Sequence, residues 1–259
     1  MSAASFQQAG RRESRAQAMI LAAGRGERMR PLTDTCPKPL LEVAGKPLMQ
    51  YHLEALARAG FTDVVVNTAW LGEQIEERFG LQPAWDGPDP LSKSERSRIH
   101  YSHEGRDFGG ALETAGGIAR ALPLLDEVFW VVAGDVFAPD FQFAKAAFGH
   151  FSAGDKLGHI WLVPNPTHNL KGDFGIAANG LALNGAEVRH TFSTIGLYRR
   201  ALFEPPYNAI PTGNPSGLKA PLASLLRAAM DNQQITAELY TGRWTDVGTP
   251  ERLAQLNSS

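Results

Sequence analysis

Three stretches, Ala18 to Ala22, Val64 to Asn67 and Phe129 to Ala133, are apolar almost without interruption, and each stops at a glycine or a polar turn. A strand with one face in water alternates apolar and polar residues. A run that is apolar at nearly every position needs a sheet covered on both faces, the condition of a parallel strand with helices above and below. Between the first two runs, Leu48 to Ala59 places Leu48, Tyr51, Leu53, Leu56 and Ala59 near helical spacing and ends at Gly60, and Gly72 to Phe79 reads as a short helix after the second. The order strand, helix, strand, helix predicts a doubly wound α/β sheet. Ligands of such a sheet sit beyond the carboxyl ends of its strands, so the turns after Ala22, after Val66 and at Asp135 should share one rim.

The rest of the chain is less regular. Ile99 to Ser102 predicts a brief strand, Thr114 to Leu122 a helix, and Ile160 to Val163, Gly175 to Ala177 and Phe192 to Tyr198 further strands, with a helix over Pro221 to Met230. This half reads as a mixed-sheet extension that supplies a second substrate pocket. Residues 81 to 98 are rich in proline, glycine, serine and charge, as expected of an exposed loop or lid. Residues 1 to 16 are polar and basic without an apolar signal segment and read as a disordered tail, leaving 17 to 259 as one domain. A chain of 259 residues can bury a full core without staples.

Composition removes several classes of function. Twenty-five Lys and Arg against 27 Asp and Glu give a formal charge of -2, so there is no general basic field for nucleic acid, and any polyanion must be met locally. No run approaches the roughly 18 apolar residues of a membrane span. Cys36 is the single cysteine, which excludes an intramolecular disulfide and cysteine-based zinc sites and fits a reducing cytoplasm.

The segment Leu21 to Lys38, LAAGRGERMRPLTDTCPK, carries the chemistry. Ala22, Ala23, Gly24 and Gly26 let backbone N–H groups approach an anion, Arg28 can fork onto phosphate oxygens, and Lys38 can act as a point charge. It is not a Walker A loop, and it lacks the third glycine of the dinucleotide fingerprint. Asn67 stands where that fingerprint expects an acidic ribose ligand, so NAD is disfavoured.

Leu21-Ala22-Ala23-Gly24-Arg25-Gly26-Glu27-Arg28-Met29-Arg30-Pro31-Leu32-Thr33, followed by Pro37-Lys38-Pro39-Leu40, resembles the signature of the sugar-1-phosphate nucleotidyltransferases. Leu112 to Gly117, Gly134-Asp135-Val136 and Trp244 to Thr249 match further family motifs, so the resemblance spans residues 17 to 255. It implies a Rossmann-like three-layer α/β/α fold with a mixed, mainly parallel central sheet. It also implies a reaction between a nucleoside triphosphate and a sugar 1-phosphate that yields a nucleotide sugar and pyrophosphate.

By the same resemblance, Arg28 would hold the leaving phosphates and Lys38 the phosphate being joined. Asp135 and Asp246 would bind Mg²⁺, and Ala22, Ala23, Gly24, Gly26, Glu113, Thr114 and Gly116 would hold the nucleotide. Asn67, Gly172, Asp173 and Thr194 would face the sugar. Two carboxylates plus phosphates and waters satisfy Mg²⁺.

The short run of motifs is most similar to members that take UTP and N-acetylmuramic acid 1-phosphate in cell-wall recycling. One departure is Glu187-Val188-Arg189-His190 where many relatives carry Glu-Lys-Pro. Glucose or mannose 1-phosphate with another base, or a nucleotide-sugar sensor without turnover, are the rival readings. Several sites have an ordinary alternative: Asp135 as a helix cap, Gly116 and Gly117 for close packing, Asn67 as a turn closer, and Lys171-Gly172-Asp173 as a plain turn.

Overall fold

The computed structural model describes residues 15–83 and 97–258. Most of the expected tail, and residues 84–96 of the expected lid, lie outside them. The first half runs β1 (Ala16–Leu21), the two-residue strands β2 (Glu42–Val43) and β3 (Lys46–Pro47), α1 (Leu48–Arg58), β4 (Asp63–Thr68), α2 (Gly72–Phe79) and β5 (Arg98–His103). It continues through α3 (Glu104–Phe108), α4 (Glu113–Ala121), β6 (Leu125–Ala133) and β7 (Val136–Phe137). The second half comprises α5 (Lys145–Ala153), β8 (Gly158–Val163), β9 (Gly175–Ile176), β10 (Ala182–Leu183), β11 (Thr191–Arg199), α6 (Leu222–Asp231), β12 (Ile235–Leu239), β13 (Thr245–Asp246) and α7 (Pro250–Ser258).

Seven strands form the central sheet in the order β12-β8-β11-β6-β1-β4-β5. All neighbours are parallel except β11, which runs antiparallel to both β6 and β8. The expected mixed, mainly parallel α/β sheet is therefore present. The strand from Gly175 stays outside it, because β9 pairs only with β10.

The continuous apolar runs now have their reason. Alternate residues feed two cores: Met19, Val65, Phe129 and Val131 face α4 and α6, while Ala18, Ile20, Val64, Val66, Trp130 and Val132 face α1, α2 and α5. Both faces are covered, giving three layers.

Register fixes the rim. Leu21 pairs with Asn67 on one side and with Ala133 on the other, so β1, β4 and β6 end level with one another. A third, smaller core of Met29, Leu41, Val43, Leu48 and Val247 clamps the loop after β1 to the segment leading into α7. The carboxyl-terminal end of the chain thereby returns to the loop after the first strand.

Beside this rim, His52 of α1 is buried, with Nε2 2.9 Å from the Val136 carbonyl. Burial lowers its pKa from 6.5 to about 4, against opposing pulls from that hydrogen bond and from Asp135. The neutral ring is thus the folded form, and between pH 6.5 and 4 the unfolded chain binds the extra proton. This group's stabilisation is complete above pH 6.5 and falls by roughly 3 kcal/mol as the pH drops to 4. Urea unfolding across that range should give a shallower pH slope for His52→Gln than for the wild type; equal slopes would show that His52 is not the group responsible.

Candidate active site

The loop after β1 is held by its own contacts. Gly26 has φ +67°, a conformation glycine adopts without strain, and it opens a 3₁₀ turn over Glu27–Met29. The Thr33 hydroxyl donates to Gly26 O at 2.9 Å. Arg25 Nη1 donates to Thr33 O at 2.7 Å, and its guanidinium lies 3.6 Å from the Trp70 ring centroid. Trp70 Nε1 donates to the same carbonyl at 2.9 Å.

Arg25 is thereby committed to the loop, and Arg28 is not. Arg28 is exposed, lines a cleft, and makes no hydrogen bond or ion pair with the described residues. A Cβ on Gly24 would touch nothing within 4 Å, so the bare backbone there keeps the cleft open and answers no packing demand.

Two adjoining clefts occupy the rim. The first, of about 280 Å³, is lined by Ala22, Gly24, Gly26, Arg28, Lys38, Asp135 and Gly248 among others. The second, of about 510 Å³, takes in Ala23, Gly24, Asn67, Glu104, Glu113, Thr114, Asp135 and Thr194, with Val131, Phe192, Tyr198 and Leu222. Gly24 and Asp135 belong to both. The first is dominated by charge and backbone; the second is largely apolar.

Lys38 sits at the centre of the charged group. Its side chain is nearly buried, with Nζ 2.5 Å from Asp135 Oδ2 and 3.9 Å from Asp246 Oδ1. Asp246 arrives because β13 pairs antiparallel with β7, directly opposite Val136. Arg252 Nη1 then donates to Asp246 O at 2.7 Å and to Oδ2 at 2.8 Å.

His168 Nε2 lies 3.6 Å from that same Oδ2. Burial depresses the His168 pKa, Arg252 adds to the depression, Asp246 opposes it, and Arg28 depresses it further. Arg28 and Lys38 from the loop after β1, Asp135 from the end of β6 and Asp246 from β13 therefore meet at one rim.

The donor set bears on a metal. Among the described residues no group of three or more His, Cys, Asp or Glu is arranged to hold an ion. Asp135 Oδ1 accepts no hydrogen bond from the described residues, and Asp246 Oδ1 has only the distant Lys38 ammonium. Two carboxylates with an oxygen each to offer match Mg²⁺, a hard cation that takes one or two protein carboxylates and fills its shell with phosphates and water.

Three expected positions are not brought to either cleft. Gly116 is buried in α4, where a Cβ would lie 2.5 Å from Leu218 O. The N–H groups of Ala115 and Gly116 both donate to Ala220 O, so these two are taken by the protein itself. Gly172 has φ +61° and packs on Arg189, where a Cβ would lie 2.7 Å from the Arg189 carbonyl carbon. The Asp173 carboxylate accepts from Phe192 N at 2.8 Å and Asn169 Nδ2 at 3.2 Å, anchoring the entry to β11. For these residues the close-packing and turn readings describe the structure.

Asn67 lines the second cleft, but both ends of its amide have protein partners: Oδ1 accepts from Ala22 N at 2.9 Å, and Nδ2 donates to Glu104 Oε1 at 2.6 Å. Ser193 turns away and donates to Trp161 O at 2.7 Å, leaving Thr194, at φ +64°, to face the cleft. Glu113 is likewise left-handed, at φ +59°.

Glu104, Arg252 and His168 were not expected. Glu104 is fully buried; burial raises its pKa, countered by hydrogen bonds from Asn67 and from Leu112 N at 2.7 Å. It ties the ends of β1 and β4 to the start of α4. Arg252 had one available signal, its place three residues after the Trp244 to Thr249 motif.

The sequence profile of the nucleotidyl transferase family matches residues 17–191. The chain is 46% identical over 251 residues to N-acetylmuramate alpha-1-phosphate uridylyltransferase of Neisseria meningitidis serogroup B, covering 93% of this chain and 97% of that relative. A Caulobacter vibrioides protein of the same name is 35% identical over 176 residues, 63% of this chain and 66% of its own. Among solved structures, a putative glucose-1-phosphate thymidylyltransferase from Bacillus anthracis superposes with a TM-score of 0.72 over 94% of both chains at 17% identity, a likeness of fold.

Removing the Glu104 carboxylate should leave Asn67 Nδ2 and Leu112 N buried without acceptors. At about 1–3 kcal/mol for each orphaned group, Glu104→Ala should lose roughly 2–6 kcal/mol in urea unfolding. A change below about 0.5 kcal/mol would mean that this buried network does not hold the rim.

Proposed function

The chain belongs to the nucleotidyl transferase family, and from that premise we propose that it joins UTP to N-acetylmuramate α-1-phosphate, releasing pyrophosphate. The 46% identical Neisseria relative, matched along nearly its whole length, supports this choice of base and sugar. The observation that carries the reading is the meeting of Arg28, Lys38, Asp135 and Asp246 beside a cleft of about 510 Å³ that has room for a nucleoside and a sugar.

An oxygen of the sugar phosphate attacks the α-phosphorus of the triphosphate. The bond from that phosphorus to the bridging oxygen breaks, and pyrophosphate leaves with the electron pair. The attacking phosphate is already anionic at neutral pH, so no base need remove a proton at the reacting atom. The barrier is repulsion between phosphates and their alignment, which fixed cations relieve.

In this scheme the unpaired Arg28 guanidinium forks onto the leaving phosphates, and the Lys38 ammonium meets the phosphate being joined. Asp135 and Asp246 would hold Mg²⁺, which when bound supplies positive charge shared by the phosphates of both substrates. The backbone of Ala23, Gly24 and Gly26 lets the phosphates approach, while the Ala22 N–H stays with Asn67 Oδ1 and braces the loop. Glu113 and Thr114, which line the second cleft at the start of α4, would border the base, and Thr194 would border the sugar. We assign the reaction to the cytoplasm, where its product would re-enter cell-wall synthesis.

A pyrophosphate-release screen across nucleoside triphosphates and sugar 1-phosphates should give the highest turnover for UTP with N-acetylmuramate α-1-phosphate. Faster turnover with glucose or mannose 1-phosphate would replace that pair, and binding without pyrophosphate release would favour a sensor. Arg28→Ala should lower kcat by about 10²–10³. Asp135→Asn and Asp246→Asn should each abolish Mg²⁺-dependent turnover with the native circular dichroism spectrum retained, and Asp135→Asn should also lower the thermal midpoint because it removes the 2.5 Å partner of the nearly buried Lys38 ammonium; full activity in either would remove that residue from the scheme.

A further inference from the structure

Among the described residues, Tyr198 is the one that both lines an active-site cleft and carries a buried side-chain polar atom, its hydroxyl, without a hydrogen-bond partner. Its ring is buried, with 1% of its surface accessible. Burial pushes the phenol pKa well above its ordinary value, so the oxygen keeps its proton and is a donor at every working pH. Folded proteins pair nearly all such groups, so an orphan on a cleft wall marks a place for a ligand atom.

The chain also makes room for this ring. Gly196 is two residues before Tyr198 on the same face of β11, and a Cβ there would lie 2.7 Å from both Cζ and the hydroxyl oxygen. Gly158, opposite Tyr198 on β8, would bring a Cβ within 3.2 Å of the ring. The side chain therefore lies back along β11 toward Thr194 and Phe192, the end of the strand that lines the cleft. Pairing between β11 and β8 is interrupted over the same stretch, between Phe192 and Gly196. The wall of the same cleft is largely apolar and includes Val131, Phe192 and Leu222.

One donor in an apolar surround is the complement of a group with one carbonyl acceptor and a methyl. We propose that Tyr198 is a specificity-determining residue whose hydroxyl donates a hydrogen bond to the acetamido carbonyl oxygen of the bound sugar 1-phosphate, with the acetyl methyl against the apolar wall. This rests on the sugar-phosphate reading given under Proposed function. Strand order supports the sugar side: Val131 and Tyr198 stand on β6 and β11, while the expected nucleotide residues cluster about β1 and α4.

The test is Tyr198→Phe, which keeps the ring and deletes one oxygen. Steady-state kinetics should give a KM for the N-acetylated sugar 1-phosphate raised on the order of tenfold, an unchanged KM for UTP, and a reduced preference for the acetamido sugar over its 2-hydroxy analogue. The thermal midpoint of the ligand-free protein should be equal or higher, because the deleted hydroxyl has nothing to lose there. Unchanged sugar preference would overturn the inference while leaving the enzymatic reading intact. A clear fall in the ligand-free midpoint would overturn it too, by showing that the hydroxyl is satisfied within the protein. If the wild type releases no pyrophosphate with any sugar phosphate, the enzymatic reading fails first and this inference falls with it.

Discussion

An ammonium group from the loop after the first strand, held by one carboxylate from the middle of the chain and one from near its carboxyl end, is the contact on which the site depends. Lys38 is 7% exposed, and its charge is compensated by Asp135 at 2.5 Å and, more distantly, by Asp246 at 3.9 Å. A charge at that depth is unfavourable without partners, so the loop after β1, the end of β6 and the strand β13 must arrive together. Electrostatics alone would not position them. The small core of Met29, Leu41, Val43, Leu48 and Val247 supplies apolar adhesion, and the β7–β13 pairing supplies register. Arg252 then occupies the oxygen of Asp246 farther from Lys38, which leaves the two carboxylates as a compensated pair and not a patch of uncancelled negative charge that would repel phosphates.

That arrangement was legible where a residue's chemistry is local to its own sequence and obscure where it depends on a distant partner. The buried strands could be read because a run apolar at every position has few folds open to it, and their level ends follow from parallel pairing. The loop from Gly24 to Lys38 could be read because small residues beside cations have one main use. Among its arginines, however, composition could not separate Arg25 from Arg28: stacking on Trp70 and the bond to Thr33 O commit the first to the loop, and Trp70 lies outside the motif.

Two glycines show the limit of such reading. Gly116 is expected at the nucleotide and Gly172 at the sugar, and the space a side chain would fill at each is taken by protein: Leu218 O approaches one and the Arg189 backbone the other. A glycine reports that something comes close without saying what. Glu104 was invisible for the opposite reason, since an isolated glutamate before a glycine reads as surface, and only the fold reveals that it is fully buried with Asn67 and Leu112 N as donors. The unpaired hydroxyl of Tyr198 is likewise a property of what surrounds it.

The two clefts divide the work of the site along the strand order. Neighbouring strands lie about 4.8 Å apart, so the step from β4 through β1 and β6 to β11 sets a base-sized region and a sugar-sized region side by side, with Asp135 at the seam after β6. Substrates that differ in base or sugar still carry the same phosphates, and those belong at the charged seam where Arg28 and Lys38 stand. On the proposed reading, alignment for in-line attack comes from the seam and discrimination from the apolar flanks, where one or two polar groups decide which substituent fits. On this geometry a change of sugar preference need not disturb the phosphate chemistry, because the side chains that could read the sugar, on β11 and at the start of α6, are not the ones that surround Lys38.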